Sequence, residues 1–271
     1  MQRLASPPLV WVVDTFSDEV HQGNPAGVVL WPEVEFPSAT WMQAIAARVG
    51  LPTTAFVVKQ GPRAYHIRWF TPLSELNLCG HATIAAAGYL YELGRACAGA
   101  RLTFITHSEI LHTRREEGFV FLNLPRMDAP PDVPPAGLEC ALGVSILHCG
   151  RAVDDVLVLV DSEQTIASLD PDFEALKRIV SRGQIVTARS NQPGVDFVSR
   201  TFFPGLGVNE DQVCVSAHCK LAPFWATRLG KNHLTAIQLS ERGGRLVMQL
   251  DGDRVQVAGT AVMRGSLPLP A

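Results

Sequence analysis

The apolar positions change period along the chain, and the changes mark its elements. Residues 9–14 (Leu-Val-Trp-Val-Val-Asp) form a β-branched run that predicts a buried strand. Turn punctuation at Gly23-Asn24-Pro25-Ala26-Gly27 leads into a second strand at 28–31. Over 39–49 apolar residues recur at spacings of three and four, which predicts a helix stopped by Gly50. Strands are expected at 54–58 and 64–70. Residues 81–93 are rich in alanine and have little polarity on any side, so this helix must be buried rather than lie on a surface. A buried helix needs a sheet around it, and strand-like runs at 101–106 and 118–124 supply one.

Residues 128–136 hold four prolines in nine positions, which neither helix nor central strand tolerates, so a linker is expected there. Beyond it the pattern returns. Strands are predicted at 152–160, 183–189 and 196–203, with helices at 172–180 and 216–229, the latter with Ser216 as N-cap. Runs at 234–239, 245–250, 255–258 and 261–263 end the chain as strands between glycine-rich turns.

One stretch occurs twice. Arg68-Trp-Phe70-Thr-Pro72 leads to Cys79 and a helix ending at Gly94; Arg200-Thr-Phe202-Phe-Pro204 leads to Cys214 and a helix ending at Gly230. Cysteine to glycine is 15 residues in one copy and 16 in the other. The fold class expected is α+β, barrel-like, with two pseudo-symmetric domains, 1–127 and 128–271, each a curled sheet around a central helix. The last strand is allowed to cross back to the first domain.

With 47% apolar residues, 18% charged and a formal net charge of -3, the composition is that of an ordinary globular protein. It has no basic run to suggest nucleic acid and no apolar stretch of membrane-spanning length, so neither partner is expected. The N-terminus lacks the pattern of a secretory signal, which implies a cytoplasmic protein. Six cysteines without C-x-x-C pairing or zinc spacing read as thiols, with no metal site.

Cys79 and Cys214 therefore carry the candidate chemistry. A helix N-terminus lowers the pKa of a nearby thiol and binds carboxylates through its unpaired N–H groups. Two such ends facing each other would hold an amino or hydroxy acid with its α-carbon between two sulfurs. One thiolate removes the α-proton and the opposite thiol returns one, without pyridoxal phosphate or metal. The plainer alternative for any cysteine is inert packing, and Cys97, Cys140, Cys149 and Cys219, which lack the symmetry, are read that way. His81 either caps its helix or relays a proton; Asp211, three residues before Cys214, either caps a loop or acts as a base or amine-binding carboxylate.

These residues resemble the PhzF-like (phenazine biosynthesis) family, within the diaminopimelate epimerase fold. The likeness rests on Val13-Asp14-Thr15-Phe16 with Gly23-Asn24-Pro25-Ala26, on Arg68 to Pro72 with Leu78-Cys79-Gly80-His81-Ala82-Thr83, and on Val198 to Pro204 with Glu210-Asp211. Ser216-Ala217-His218, Pro223-Phe224-Trp225, Ser240 to Gly244 and Gly252-Asp253-Arg254 complete it. The resemblance implies two domains with the active site in the cleft between them, no cofactor, a small carboxylic or amino acid as substrate, and a homodimer as one assembly state. Gly80, Val215, Ser216, Asn24 and Thr53 are the expected substrate contacts.

Three departures from the family pattern matter. Thr53 stands where PhzF-type isomerases carry a catalytic glutamate, Cys214 replaces a threonine, and Val215 replaces a glycine whose loop would need reshaping if it requires φ > 0. With the glutamate gone and a second thiol present, the leading expectation is a two-cysteine racemase or epimerase. The alternatives are a PhzF-type isomerase or cyclase using Asp211 and His81 on an unsaturated or cyclisable acid, and an inactive binding homologue.

Overall fold

The computed structural model describes residues 9–19 and 21–269. The chain divides into two compact units, one built from the chain up to Asn123 and from Ala258 onward, the other from Leu124 to Val257.

In the first unit β1 (Leu9–Thr15) pairs antiparallel with β2 (Asn24–Trp31) and with the final strand (Ala261–Pro268). Helix α1 (Ala39–Val49) follows, then β3 (Thr53–Lys59) parallel to β2 and β4 (Ala64–Phe70) antiparallel to β3. The two-residue β5 (Glu75–Leu76) turns back on β4 before α2 (Gly80–Glu92). β6 (Leu102–Ile105) runs parallel to β4, and β7 (Ile110–Glu116) and β8 (Phe119–Pro125) continue antiparallel.

Every residue of α2 from His81 to Tyr91 is buried, as its all-round apolar sequence requires. β1, β2, β3, β7 and the final strand wrap it. Close approach depends on Gly88, where a Cβ would overlap the Ala261 side chain. α1 packs with a separate cluster, placing Met42, Ile45 and Ala46 beside Val10, Val29, Phe56 and Phe70. Its ends are local: the Ser38 hydroxyl accepts from Trp41 N–H at 3.2 Å, and Gly50 turns left-handed at φ 69°.

The second unit contains α3 (Leu138–Leu142), β9 (His148–Ala152), β10 (Asp155–Leu159), α4 (Glu163–Ala167), α5 (Phe173–Leu176), β11 (Gly183–Arg189) and β12 (Phe197–Phe203). β13 (Val208–Asp211), α6 (Val215–Leu229), β14 (His233–Gln238), β15 (Gly244–Asp251) and β16 (Arg254–Gly259) follow. The pairing repeats that of the first unit. β9–β10 is antiparallel, β10–β11 parallel, β11–β12 antiparallel, β12–β14 parallel and β14–β15 antiparallel. β13 folds back on β12 before α6, as β5 does on β4 before α2. The chain thus has a mixed α/β fold with a large curled sheet and few helices, and the sequence repeat is also a repeat of topology.

Several expectations need correction. The strand expected at 152–160 is regular over Asp155–Leu159 and forms the second arm of a hairpin with β9, turned at Val153 with φ 54°. The helix expected at 172–180 is regular only over Phe173–Leu176, with the Asp172 carboxylate capping Ala175 N–H. β7 was not expected, because its alternation buries only Leu111 and Thr113 between charged residues. The proline-rich segment is no free linker: it lies in the second unit, where Asp132 N–H donates to Cys149 O at 3.0 Å and Arg151 N–H to Pro130 O at 3.0 Å. Among the described residues no helix is long and apolar enough to cross a membrane.

Candidate active site

The repeated Arg-x-Phe motif builds the approach to each cysteine. Arg68 Nε and Nη2 donate to the two carboxylate oxygens of Glu75, both at 2.7 Å, and the guanidinium lies 5.4 Å from the Phe70 ring centre. Arg200 does the same with Glu210, at 2.6 and 2.8 Å, and lies 5.3 Å from the Phe202 ring centre. Each glutamate stands four residues before its cysteine. The bidentate pair ties the short strand to its neighbour and so holds the loop that enters the helix. This role of Glu75 and Glu210 was not read from the sequence, since the pairing appears only when the short strand folds back.

Cys79 is the N-cap of α2, in extended conformation, with no side chain capping the helix. Its thiol donates to Thr53 Oγ1 at 3.6 Å, and its sulfur lies 3.4 Å from His81 Nδ1. Thr83 Oγ1 donates to the Cys79 carbonyl at 2.7 Å and fixes the turn. Burial pushes the thiol up, but the charge and hydrogen bond of His81, with the contacts to Thr53 and the Ala82 N–H, outweigh it and leave the pKa below the ordinary value. The fold therefore brings Cys79, His81 and Thr53 together. Gly80 is the first helical residue, and Asn24 is buried at the start of β2, where Thr15 Oγ1 donates to its carbonyl at 2.9 Å.

Cys214 is the N-cap of α6, again extended and again without a side-chain cap. Ser216, expected as N-cap, lies inside the helix with its hydroxyl 3.4 Å from the Cys214 sulfur. Val215 opens the helix without strain: the positive-φ residues other than glycine among those described are Phe16, Glu117 and Val153. Cys214 N–H donates to Gln238 Oε1 at 2.9 Å, and Gln238 Nε2 donates to the Asp211 carbonyl at 2.5 Å and to Thr201 Oγ1 at 3.0 Å. Burial and the charge of Asp211 push the Cys214 thiol up to about 12, against smaller opposing effects of Ser216, the Ala217 N–H and Arg182.

Behind Cys214 lies polar structure absent from the sequence reading. His218 Nδ1 meets the Cys214 carbonyl at 2.7 Å, and burial lowers this histidine to about 4, so it is neutral. Lys220 Nζ pairs with Asp155, which also receives Arg182. The available signal was Lys220 itself, a lysine in the otherwise apolar run Cys219 to Ala226. The packing role expected for the remaining cysteines fits Cys149 and Cys219, which are buried, but not Cys97 and Cys140, which are exposed.

Matched units that each start a buried helix at a cysteine define the fold class. A probable proline racemase from Agrobacterium radiobacter shares it at TM-score 0.63, covering 97% of this chain and 93% of that one, though at 12% identity the likeness speaks for the fold alone. The family follows from closer matches. The family model for phenazine biosynthesis-like proteins matches residues 13–266. A protein called an uncharacterized isomerase from Pseudomonas aeruginosa is 46% identical over 254 residues, covering 94% of this chain and 95% of that protein. One of the same description from Halalkalibacterium halodurans is 42% identical, covering 93% and 95%. The crystal structure of a PhzF-family protein from Enterococcus faecalis superposes with TM-score 0.90 at 39% identity, covering 96% of this chain and 99% of that one. The chain belongs to the phenazine biosynthesis-like (PhzC-PhzF) family, and it is an isomerase.

Proposed function

We propose that this isomerase is a cofactor-independent racemase or epimerase that inverts the α-carbon of an amino acid or related small carboxylic acid, with Cys79 and Cys214 as its acid–base pair. The observation that carries the reading is the matched placement of two buried cysteines as N-caps of α2 and α6, in units of the same strand pairing. The substrate carboxylate accepts hydrogen bonds from first-turn N–H groups, which have no partner within a helix. The Cys79 thiolate takes the α-proton, and the electron pair of the broken C–H bond passes into the carboxylate. The Cys214 thiol then gives its proton to the opposite face, leaving Cys79 as thiol and Cys214 as thiolate. Proton exchange with water restores the start, and the other enantiomer runs the cycle in reverse. Thr53, in the place of the glutamate expected for PhzF-type isomerases, accepts from the thiol and aligns it.

A second reading, a PhzF-type isomerase or cyclase using Asp211 and His81 on an unsaturated or cyclisable acid, is favoured by the difficulty of ionising Cys214. One experiment separates them: proton NMR of the purified protein with a panel of L-amino acids in D2O. Loss of an α-proton signal together with appearance of the D-form supports the two-thiol reading. No exchange across the panel, with a shifted double bond or new ring in an unsaturated acid, replaces it with the second.

A further inference from the structure

Asp155 is fully buried and meets two cations. Lys220, 2% exposed, pairs with it through Nζ, and Arg182 donates from Nε to Oδ1 at 2.9 Å while Nη2 meets Oδ2. A buried carboxylate is balanced by one cation, so this cluster holds one positive charge in surplus. Asp154 lies 3.4 Å from Arg182 Nε, but its side chain is 53% exposed and screened by water. Arg182 Nη2 also donates to Ser216 Oγ at 3.4 Å, and that hydroxyl is 3.4 Å from the Cys214 sulfur. A single hydroxyl thus connects the surplus charge to the thiol.

Arg182 is held firmly enough to deliver that charge. Its N–H donates to the Asp154 carbonyl at 2.7 Å, and its guanidinium lies 5.1 Å from the Phe203 ring centre. The other titratable groups around Cys214 are Asp211 at the end of β13, which opposes ionisation, and His218 on α6, which is neutral. Six residues after each cysteine stands Lys220 in α6 but Ala85 in α2, so among the described residues the second unit has this network and the first has no counterpart of it.

We propose that Arg182 is a positioning residue for the reaction: held by Asp155 beside Lys220, it stabilises the Cys214 thiolate through Ser216. The inference deepens the two-thiol reading and rests on Cys214 giving up a proton in each turnover. Cys79 has His81 to support its thiolate; Arg182 does the corresponding work at Cys214 against Asp211.

The test is the rate of iodoacetamide labelling at Cys214 and Cys79 in the same sample, at one near-neutral pH, read by peptide mass spectrometry. Arg182→Met slows Cys214 labelling by about tenfold, the change in thiolate fraction for roughly one pKa unit. Arg182→Lys keeps most of the rate, Ser216→Ala slows it, and Cys79 labels equally in all. Equal Cys214 rates in wild type and Arg182→Met overturn the proposal, as does a wild type in which Cys214 never labels. If Arg182→Met does not fold, Ser216→Ala decides, since it leaves the ion cluster intact, and an unchanged rate overturns the proposal. Labelling needs no substrate. A protein that shows the Arg182 effect but exchanges no α-proton therefore defeats the racemase reading, and with it a role in that reaction, and leaves only the support of the Cys214 thiolate by Arg182.

Discussion

The starts of α2 and α6 share a backbone and differ in their chemistry. Both begin at a buried cysteine in extended conformation, and in both an Arg–Glu pair holds the entering loop. Around Cys79 stand His81 and Thr53, and the thiol ionises more easily than usual. Around Cys214 stands Asp211, and the thiol is pushed from 9.0 up to about 12. A helix N-terminus stabilises an anion by about 0.3–1 kcal/mol. A shift of about three pKa units is worth roughly 4 kcal/mol, so the side-chain neighbours and burial, rather than the helix dipole, decide which sulfur ionises more easily. The pair is therefore unequal: Cys79 ionises more easily than Cys214.

The largest expected effects break this inequality directly. Cys79→Ser lowers α-proton exchange by about 10²–10⁴-fold, the usual contribution of a positioned acid or base. Cys214→Ser retains exchange from one enantiomer but loses inversion, because the base remains and the returning acid does not. NMR in D2O with chiral chromatography reads both, and inversion by the Cys214→Ser protein refutes the assignment.

Next in size is the ion cluster of the second unit. Asp155→Asn leaves the buried Lys220 and the partly exposed Arg182 without their anion and destabilises by about 3–5 kcal/mol in urea unfolding. A loss below about 1 kcal/mol, the range of surface pairs, shows the cluster to be solvated instead.

His218 gives a similar but pH-dependent effect. Its folded pKa is depressed from 6.5 to about 4, so between these values the unfolded chain binds a proton that the native protein does not. Stability is full above the unfolded pKa and falls by about 3 kcal/mol as pH drops to 4. His218→Gln should flatten that part of the stability–pH curve, and an unchanged slope excludes His218 as its source.

The smallest effect sharpens the packing side. Gly88→Ala forces a Cβ against Ala261 and costs about 1–3 kcal/mol by thermal or urea unfolding. No loss of stability means the final strand can shift away from α2.

What the sequence determined is what depends on neighbours along the chain. The ends of α1 were legible because Ser38 and Gly50 cap their own helix, and the burial of α2 because no side of 81–93 is polar. The repeat singled out Cys79 and Cys214, and the motifs along the chain carried the resemblance to the family. Tertiary structure alone decided how easily each thiol ionises. Thr53 reaches Cys79 across 26 residues, Arg182 reaches Asp155 across 27, and Lys220 reaches Asp155 across 65. Hydrogen bonds and ion pairs between such distant residues leave no periodic mark on a sequence. They form only when strand pairing brings the partners within a few ångströms, and it is at that range, out of water, that they shift the two thiols in opposite directions.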